Sequence, residues 1–279
     1  MFDLVPHGAD TYVGTGPSYP WGGLYGGQIV AQALRAASST IDDEQVVHSL
    51  RAYFIRRGDA SEPVRYEVDR IRNGRSFATR RVVARQAIGA ILNLESSYQR
   101  QEDSAIVAPA TIPEVPPPDD LEESSWSHDF RRRFVPEAET PPAAVGAGRM
   151  LAWMRVSVPL AGDDLLHRCW LAYLSDDLPC DAVVRAHPRR AAMDGAGGRF
   201  IASLDHSVWF HAPPHVDGWH LYDVTCLAYS GGGASRWGTP STPTAPTWRR
   251  SPRRPWCESR SSPALRGHRR RWRATLAMA

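Results

Sequence analysis

Residues 201–211 read Ile-Ala-Ser-Leu-Asp-His-Ser-Val-Trp-Phe-His. The part from His206 to Phe210 resembles an earlier segment, His48-Ser49-Leu50-Arg51-Ala52-Tyr53-Phe54. A second pair of segments follows in the same order. Tyr66-Glu67-Val68 is matched by Tyr222-Asp223-Val224, at spacings that agree within two residues. An ordered set of matching segments indicates an internal repeat. We therefore interpret most of the chain as two copies of one structural module.

Each module is predicted to contain one helix followed by strands. The first helix is predicted from Gly26 to Ala37, and the second from Ser175-Asp176-Asp177 through Val184. Apolar and polar residues alternate over 200–211, which is typical of a strand. Segments 80–84 and 90–98 predict a hairpin. Runs of strands with one helix per module indicate an α+β fold with antiparallel sheets rather than alternating βαβ units.

The repeat divides the chain into two domains, a linker and a tail. We predict an N-terminal domain over 1–105, a linker over 106–140, a C-terminal domain over 141–231 and a tail over 232–279. The linker contains Pro-Glu-Val-Pro-Pro-Pro-Asp-Asp at 113–120, which cannot pair inside a sheet because proline lacks an N–H donor. The tail is rich in Arg and Pro and is predicted to be disordered.

Charge is distributed unevenly between the body of the chain and its tail. Residues 236–279 hold 11 Arg and one acid, Glu258, which gives a formal charge of +10. Because the whole chain carries +3, residues 1–235 carry −7. Trp248, Trp256 and Trp272 lie among the arginines, a pattern that suits phosphate contacts and base stacking. Nucleic-acid binding through the tail is therefore one alternative function, although out-of-frame GC-rich sequence has the same composition.

Several features bound the class of protein. No apolar run approaches the roughly 18 residues that span a bilayer, so we expect no membrane span. The start, Met1-Phe2-Asp3-Leu4, lacks the basic and apolar regions of a secretory signal, and we expect a cytoplasmic location. The four cysteines have no Cys-x-x-Cys spacing. We expect reduced thiols, no metal site and no cofactor.

The repeated segments and the motifs around them form a specific ordered set. They are Tyr25-Gly26-Gly27-Gln28, His48 to Phe54, Arg57-Gly58-Asp59, Gly74-Arg75-Ser76-Phe77, Thr79-Arg80-Arg81-Val82, Tyr173-Leu174-Ser175-Asp176 and Ile201 to His211. With this set, which spans about residues 12–231, the chain resembles the acyl-CoA thioesterase II family. Members of that family join two hot-dog domains, each an antiparallel sheet wrapped around one long helix. The resemblance implies a tandem hot-dog fold.

The resemblance also implies an activity and the residues that perform it. Such enzymes hydrolyse acyl-CoA to a free acid and CoA without a covalent intermediate, and they assemble into homo-oligomers. A carboxylate, a hydroxyl and a glutamine amide hold the attacking water. By motif the carboxylate falls on Asp176 and the hydroxyl on Ser203. A thioester carbonyl is already electrophilic, so a carboxylate that accepts a proton from an oriented water can act as general base.

Each of these residues also has a purely structural interpretation. Asp176 precedes Pro179 and is suited to cap a helix N-terminus. Ser203 on its own is an ordinary polar strand residue. Asp205-His206-Ser207 is not a hydrolase triad, because neighbours on a strand point to opposite faces and the chain has no Gly-x-Ser-x-Gly elbow.

Candidate substrate-binding residues come from the turn motif of the first module. Gly74, Arg75, Ser76 and Phe77 are predicted to form a turn that opens a strand, with CoA contact as a second interpretation. Arg75, Arg80 and Arg81 are candidates to meet the phosphates of CoA. The alternative is that they are ordinary arginines on an exposed strand face.

The C-terminal sequence departs from the family pattern. The family takes its catalytic glutamine from the last strand of the second domain, in a Val-Gln-Glu context, and this chain has Gly238-Thr239-Pro240-Ser241-Thr242-Pro243 and further prolines instead. Such a segment cannot form a central strand. The second hot-dog is therefore predicted to lack its last two strands.

A shift of one base explains the departure. When the tail is back-translated with GC-rich codons and read from the third base of each codon, it yields HAFDADGTHVATVAQEALVR, two strands around an Asp-Gly turn. We hypothesise that the reading frame slips within Gly231-Gly232-Gly233 and that the glutamine codon straddles Pro252 and Arg253. The chain as written would then have impaired thioesterase activity. Binding of acyl-CoA without hydrolysis is a further alternative.

Overall fold

The computed structural model describes residues 1–102, 112–188, 190 and 202–228 of the chain. The predictions for the tail, for the reading-frame shift and for part of the linker fall outside these residues. The described part contains ten strands and three α-helices. The strands are β1 (Val5–Pro6), β2 (Thr11–Gly14), β3 (Gln45–Phe54), β4 (Val64–Asn73), β5 (Phe77–Gln86), β6 (Gly89–Arg100), β7 (Phe130–Phe134), β8 (Ala147–Val156), β9 (Asp205–Trp209) and β10 (His220–Cys226), and the helices are α1 (Gly26–Ser38), α2 (Asp164–Ser175) and α3 (Pro179–Ala186). Two short 3-10 helices lie at Pro118–Asp120 and Glu137–Glu139.

The strands form two antiparallel sheets. A seven-stranded sheet has the order β1-β2-β4-β5-β6-β3-β9, and a three-stranded sheet has the order β10-β8-β7. The predicted hairpin is confirmed as β5 and β6, which pair antiparallel up to a turn before Gly89. Gly89 has a φ of 108°, a conformation that favours glycine because it has no Cβ. The α+β class with antiparallel sheets is confirmed.

Helix α1 is buried along most of its length against the larger sheet. Its sequence, GGQIVAQALRAAS, is rich in Ala, which has the highest helix propensity and leaves room for close neighbours. It packs against α2 and against strands β3, β4, β5 and β6. A sheet that covers a central helix in this way is the predicted hot-dog arrangement.

The prediction for the second helix is wrong in position. Residues 164–175 form the long helix α2, and Asp176 follows its C-terminus instead of opening a helix. Pro179 then begins the separate short helix α3. Arg168 interrupts the apolar pattern of α2 but is buried, since its guanidinium bonds to Asp164 and to the Val47 carbonyl oxygen.

The two repeated segments meet at one edge of the larger sheet, where β9 is the last strand. Strand β9 pairs antiparallel with β3, so that Leu50 lies opposite Val208 and Ala52 opposite His206. At the far end of the pair, the Phe210 N–H donates to the His48 carbonyl oxygen over 2.8 Å. The first residue of each copy thus lies beside the end of the other, as an approximate two-fold axis between the modules requires.

The two modules differ in what separates their matching strands. In the first module, β5 and β6 lie between β4, which carries Tyr66-Glu67-Val68, and β3. The equivalent strands of the second module, β10 and β9, belong to different sheets, and among the described residues no strand lies between them. Within the described ranges, the second module thus has two strands fewer at this place than the first. That is the position of the last two strands that the sequence is predicted to have lost.

None of the helices in the described part of the chain is both long enough and apolar enough to cross a membrane.

Candidate active site

The candidate site lies where three ends of the main chain meet. The N-terminus of α1 at Gly26 faces the C-terminus of α2, and the segment that leads into β9 runs beside both. This segment is held in place by the Phe54 N–H, which donates to the Leu204 carbonyl oxygen over 2.9 Å. The antiparallel pairing of β3 and β9 therefore brings residue 203 to the helix ends.

Asp176 and Ser203, which the motifs single out, are brought together. The Ser203 hydroxyl donates to Asp176 Oδ1 over 2.9 Å. The Asp176 side chain is only 6% exposed. Its N-cap interpretation is wrong, because the residue that precedes α3 is Leu178 and no side chain caps that helix. The Cys180 thiol also lies beside the pair, and burial raises its pKa to about 12.

The two glycines at the start of α1 allow this close approach. A Cβ on Gly26 would overlap Asp176 Oδ2, and a Cβ on Gly27 would overlap the Tyr173 carbonyl oxygen in the last turn of α2. The Gly27 N–H faces the Asp176 carboxylate and favours its charged form, which lowers the pKa. The Gly-Gly pair of the sequence motif is therefore explained by contact between the two helix ends rather than by a turn.

The environment of Asp176 raises its pKa from 3.8 to about 7. Burial is the largest cause, since it disfavours the charged form. The hydrogen bond from Ser203 lowers the pKa, the negative charge of Asp177 raises it, and the Gly27 N–H lowers it. A carboxyl that titrates near neutrality can both accept and return a proton at physiological pH.

Asp177, the next residue, anchors the end of α2 and was missed by sequence reasoning. Its Oδ2 accepts from Arg132 of β7 over 2.5 Å, and its Oδ1 accepts from the Trp126 indole over 2.6 Å. Both partners in the ion pair are nearly buried, with side chains 11% and 5% exposed. The sequence did not show that Asp176 and Asp177 have different partners, because Trp126 and Arg132, which bind Asp177, lie more than forty residues upstream.

We expect Arg132→Ala to lower the free energy of unfolding by about 3 kcal/mol, because it leaves the Asp177 charge buried without its partner. Chemical denaturation of the full chain measures the change. Arg131→Ala is the matched control, since Arg131 pairs with Glu123 at an exposed position and should cost less than about 1 kcal/mol. Equal losses in the two variants would contradict the importance of the Asp177 anchor.

His206 is a second residue at the site that sequence reasoning did not place there. Its Nε2 lies 2.8 Å from the Ser175 hydroxyl oxygen, and its Nδ1 lies 4.0 Å from Asp176 Oδ1. The ring makes no triad with its sequence neighbours, since Asp205 pairs with Arg51 of β3. Rejection of the Asp205-His206-Ser207 triad agrees with this geometry.

The proposed substrate-binding turn lies far from the pair. Gly74 and Arg75 accept hydrogen bonds from Gln45 at the start of β3, whereas the Asp176 site lies beside Phe54 at its end. Ten strand residues separate these ends by about 30 Å. Phe77 is exposed beside the same turn, and Ser76 accepts the Arg100 N–H. A contact of Gly74, Arg75, Ser76 and Phe77 with CoA stays a prediction that this geometry does not support.

Arg80 and Arg81 have structural partners in place of phosphates. Arg80 is buried and donates to the Thr40 hydroxyl and carbonyl oxygens. Arg81 pairs with Asp69 on the neighbouring strand. The interpretation of Arg80 as a phosphate ligand is therefore wrong. Among the described residues, no group of three or more His, Cys, Asp or Glu side chains could hold a metal ion, and Cys169, Cys180 and Cys226 are free thiols.

Comparisons with known proteins extend over both modules. Residues 15–110 match the family model described as the acyl-CoA thioesterase N-terminal domain, and residues 109–239 match the model of the corresponding C-terminal domain. The chain is 34% identical over 226 residues to acyl-coenzyme A thioesterase 8 of Mus musculus, covering 72% of this chain and 69% of that protein. It is 29% identical over 220 residues to acyl-CoA thioesterase 2 of Haemophilus influenzae, covering 72% and 76%.

Solved structures agree with the sequence matches. The chain superposes on the acyl-CoA thioesterase II TesB2 of Mycobacterium marinum with a TM-score of 0.72 and 33% identity. That alignment covers 83% of this chain and 84% of the other. A TesB protein of Mycobacterium avium subspecies paratuberculosis gives a TM-score of 0.69 at 31% identity, covering 82% and 85%.

Proposed function

Because the chain belongs to the acyl-CoA thioesterase II family, we propose that its hydrolysis of acyl-CoA uses Asp176 as general base and Ser203 as the group that orients the water. The observation that supports this proposal is the 2.9 Å hydrogen bond from Ser203 to Asp176 Oδ1 beside the start of α1. The hydroxyl holds one carboxylate oxygen in place, and its own oxygen can still accept a hydrogen bond, so that a water donating to both groups has one orientation. Positioning of this kind removes much of the entropic barrier to attack.

During the reaction Asp176 accepts one proton and later returns it. The water gives a proton to the carboxylate while its oxygen bonds to the thioester carbon. The tetrahedral intermediate then collapses, the carbon–sulfur bond breaks, and the departing CoA sulfur takes the proton back from Asp176. The products are the free acid and CoA thiol, and the carboxylate is regenerated. No covalent bond to the protein forms at any step.

The N-terminus of α1 supplies electrostatic support. The N–H groups of the first helical turn have no partners within the helix, and the helix dipole is positive at this end. Developing negative charge on the thioester oxygen is favoured by such groups. The Gly26-Gly27 pair makes this end accessible because it has no side chains between the helix and Asp176.

We expect the pH dependence of kcat/KM to rise with pH through about 7, the pKa of Asp176, because only the carboxylate accepts a proton from water. Stability should change in the opposite direction. A carboxyl whose pKa is raised on folding stabilises the protein below its unfolded pKa, and that contribution is lost as pH rises through the folded value. Rate profiles and unfolding titrations between about pH 5 and 9 measure both. A rate profile without an inflection near neutrality would contradict the assignment of the base.

Activity of this particular chain is proposed to be low. Among the described residues no glutamine side chain contacts Asp176 or Ser203, and no strand fills the place between β9 and β10. Both features are consistent with the loss of the family's catalytic glutamine and last two strands. Binding of acyl-CoA without hydrolysis is the second candidate, supported by the same gap. Calorimetry that shows affinity for a non-hydrolysable acyl-CoA, together with no thiol release from acyl-CoA, would favour it.

Cytoplasmic location, homo-oligomer formation and the domain boundaries 1–105, 106–140, 141–231 and 232–279 stay predictions from the sequence. Nucleic-acid binding by the tail also stays a prediction, because residues 232–279 lie outside the described part of the chain. Salt-sensitive binding of RNA by a peptide of residues 232–279 would favour that function over an out-of-frame origin of the tail.

A further inference from the structure

His206 is a buried side chain with one nitrogen that has no hydrogen-bond partner. Its ring is fully buried, and Nδ1 makes no hydrogen bond within the part of the chain that the structure describes. A buried polar atom without a partner costs free energy, so its persistence in a packed interior suggests a use. The Asp176 carboxyl oxygen Oδ1 lies 4.0 Å from His206 Nδ1.

The contacts of the other ring nitrogen decide which one carries the hydrogen. The Ser175 hydroxyl donates to the Ala172 carbonyl oxygen over 2.9 Å, which uses its only hydrogen. The same hydroxyl oxygen lies 2.8 Å from His206 Nε2 and must therefore accept. Nε2 then carries the hydrogen, and Nδ1 has a free lone pair directed at the Asp176 carboxyl.

The lone pair on His206 Nδ1 favours the protonated state of Asp176. It repels the carboxylate weakly, whereas a protonated Asp176 can donate its O–H to Nδ1 after a small side-chain rotation. Oδ1 is also the oxygen that accepts from Ser203. The same oxygen can keep that bond when it carries a proton, because a hydroxyl oxygen both donates and accepts.

We propose that His206 is a positioning residue for the hydrolysis reaction, whose unprotonated Nδ1 receives the hydrogen bond of protonated Asp176 and holds that proton until the CoA sulfur takes it. The inference rests on the proposed role of Asp176 as general base. His206 itself does not touch the substrate and does not change its own charge during the cycle. Burial supports this, since it lowers the pKa of His206 to about 4 and keeps the ring neutral near pH 7.

Other charged groups surround the pair and have their own partners. Asp205 precedes His206 on β9 and pairs with Arg51, and Asp177 follows Asp176 and pairs with Arg132. The Cys180 thiol and the Tyr25 hydroxyl also lie beside Asp176, and burial raises the pKa of both. Asp181, in the first turn of α3, is a further acid near Cys180, and burial raises its pKa to about 6. We expect a titration of His206 Nδ1 near neutrality to come from Asp176, because its Oδ1 lies 4.0 Å from that nitrogen.

Nitrogen NMR of the full chain labelled at the histidine rings tests the inference without any need for turnover. The His206 signals are identified by their loss in His206→Gln. We expect Nε2 to stay protonated and Nδ1 to stay unprotonated from about pH 5 to pH 9. The Nδ1 shift should move in one step with its midpoint near 7, where Asp176 gains its proton.

Two variants locate the source of the step. Asp176→Asn should abolish it, and Asp205→Asn, which removes the charge adjacent in sequence, should leave it in place. A hydrogen on Nδ1 at high pH, the absence of a step, or a step that survives Asp176→Asn would each overturn the inference. If Asp176→Asn does not fold, Ser203→Ala serves instead and should shift the midpoint upward, because it removes the bond that lowers the Asp176 pKa.

Kinetics separate this role from a structural one. His206→Gln is expected to lower kcat roughly 10- to 100-fold with little change in KM, and to move the acid limb of the pH profile to lower pH. A purely structural role would leave the limb unmoved. If Asp176→Asn abolishes turnover while the NMR step is absent, the role of His206 fails and the proposed function stands. A step that is present while turnover does not depend on Asp176 would confirm the hydrogen bond between the two side chains, but it would overturn Asp176 as general base and with it the role of His206 in hydrolysis.

Discussion

Restoring the reading frame after Gly231 is expected to raise acyl-CoA hydrolysis by roughly 10²- to 10³-fold. The restored segment would supply a glutamine amide as the third group that holds the water. It would also supply two strands, which fit the place between β9 and β10 where the first module has β5 and β6. Release of CoA thiol, measured on the chain as written and on the restored chain at equal folded concentration, gives the ratio.

The same change should stabilise the second module. Without the two strands, β9 and β10 each have a single partner strand among the described residues. Loss of two central strands is comparable with the total stability of a domain, about 5–15 kcal/mol. Chemical unfolding and hydrogen exchange of β8 and β10 measure the gain.

A matched variant separates the fold from the chemistry. Replacing only the glutamine of the restored Val-Ala-Gln-Glu segment by alanine keeps both strands and removes one amide. It should keep the gain in stability and lose most of the gain in rate. Equal turnover by the chain as written and the restored chain would contradict the proposal that the chain is impaired. Gene sequence at codons 228–260 that cannot be read in the shifted frame would contradict the origin that we infer.

Asp176→Asn is expected to lower kcat by about 10²- to 10⁴-fold, with a smaller change in KM. The amide has nearly the shape of the carboxyl and can still accept from Ser203, but it cannot take a proton from water. The measurement is thiol release from acyl-CoA in the restored chain, where the starting activity is high enough to record the loss. Asp69→Asn is the control, because Asp69 is exposed and pairs with Arg81 on the open face of the sheet.

The effect of this variant on stability should have the opposite sign. At a pH above 7 the wild-type protein holds a buried carboxylate, whose folded pKa of about 7 lies above the ordinary value of 3.8. A neutral amide avoids that cost, so Asp176→Asn should be more stable than the wild type at high pH and should lose this advantage as pH falls from about 7 to about 4. Loss of activity with loss of stability at every pH would indicate a structural role for Asp176 instead.

Local sequence patterns predicted much of the fold. The alternation of apolar and polar residues identified the hairpin of β5 and β6, and the Ala-rich run after Gly26 identified α1 to within one residue of its observed end at Ser38. The spacing of apolar side chains shows which residues of these elements share one face, and this spacing can be read directly from the sequence. The strand predicted over 200–211 is observed as the shorter strand β9, which covers only Asp205–Trp209.

Other features had no reliable local signal. Helix α2 was placed too far along the chain because Arg168 interrupts its apolar pattern, and that side chain is buried only through Asp164 and the Val47 carbonyl of β3. The pairing of Asp177 with Arg132 and the contact of His206 with Ser175 join distant segments. The turn at Gly74 to Phe77 kept its local form, but its distance from the site depended on the direction of β3.

By itself, the sequence determined that the chain has two related modules. It also predicted which residue types carry the chemistry and that the second module departs from the family pattern after its glycine run, because repeats, motifs and proline content are properties of order along the chain. Only the tertiary structure decided that Ser203 reaches Asp176 and that α1 begins beside them. That meeting depends on the antiparallel register of β3 with β9 and on the close contact of two helix ends. Both are results of packing between residues more than a hundred positions apart, which no local pattern contains.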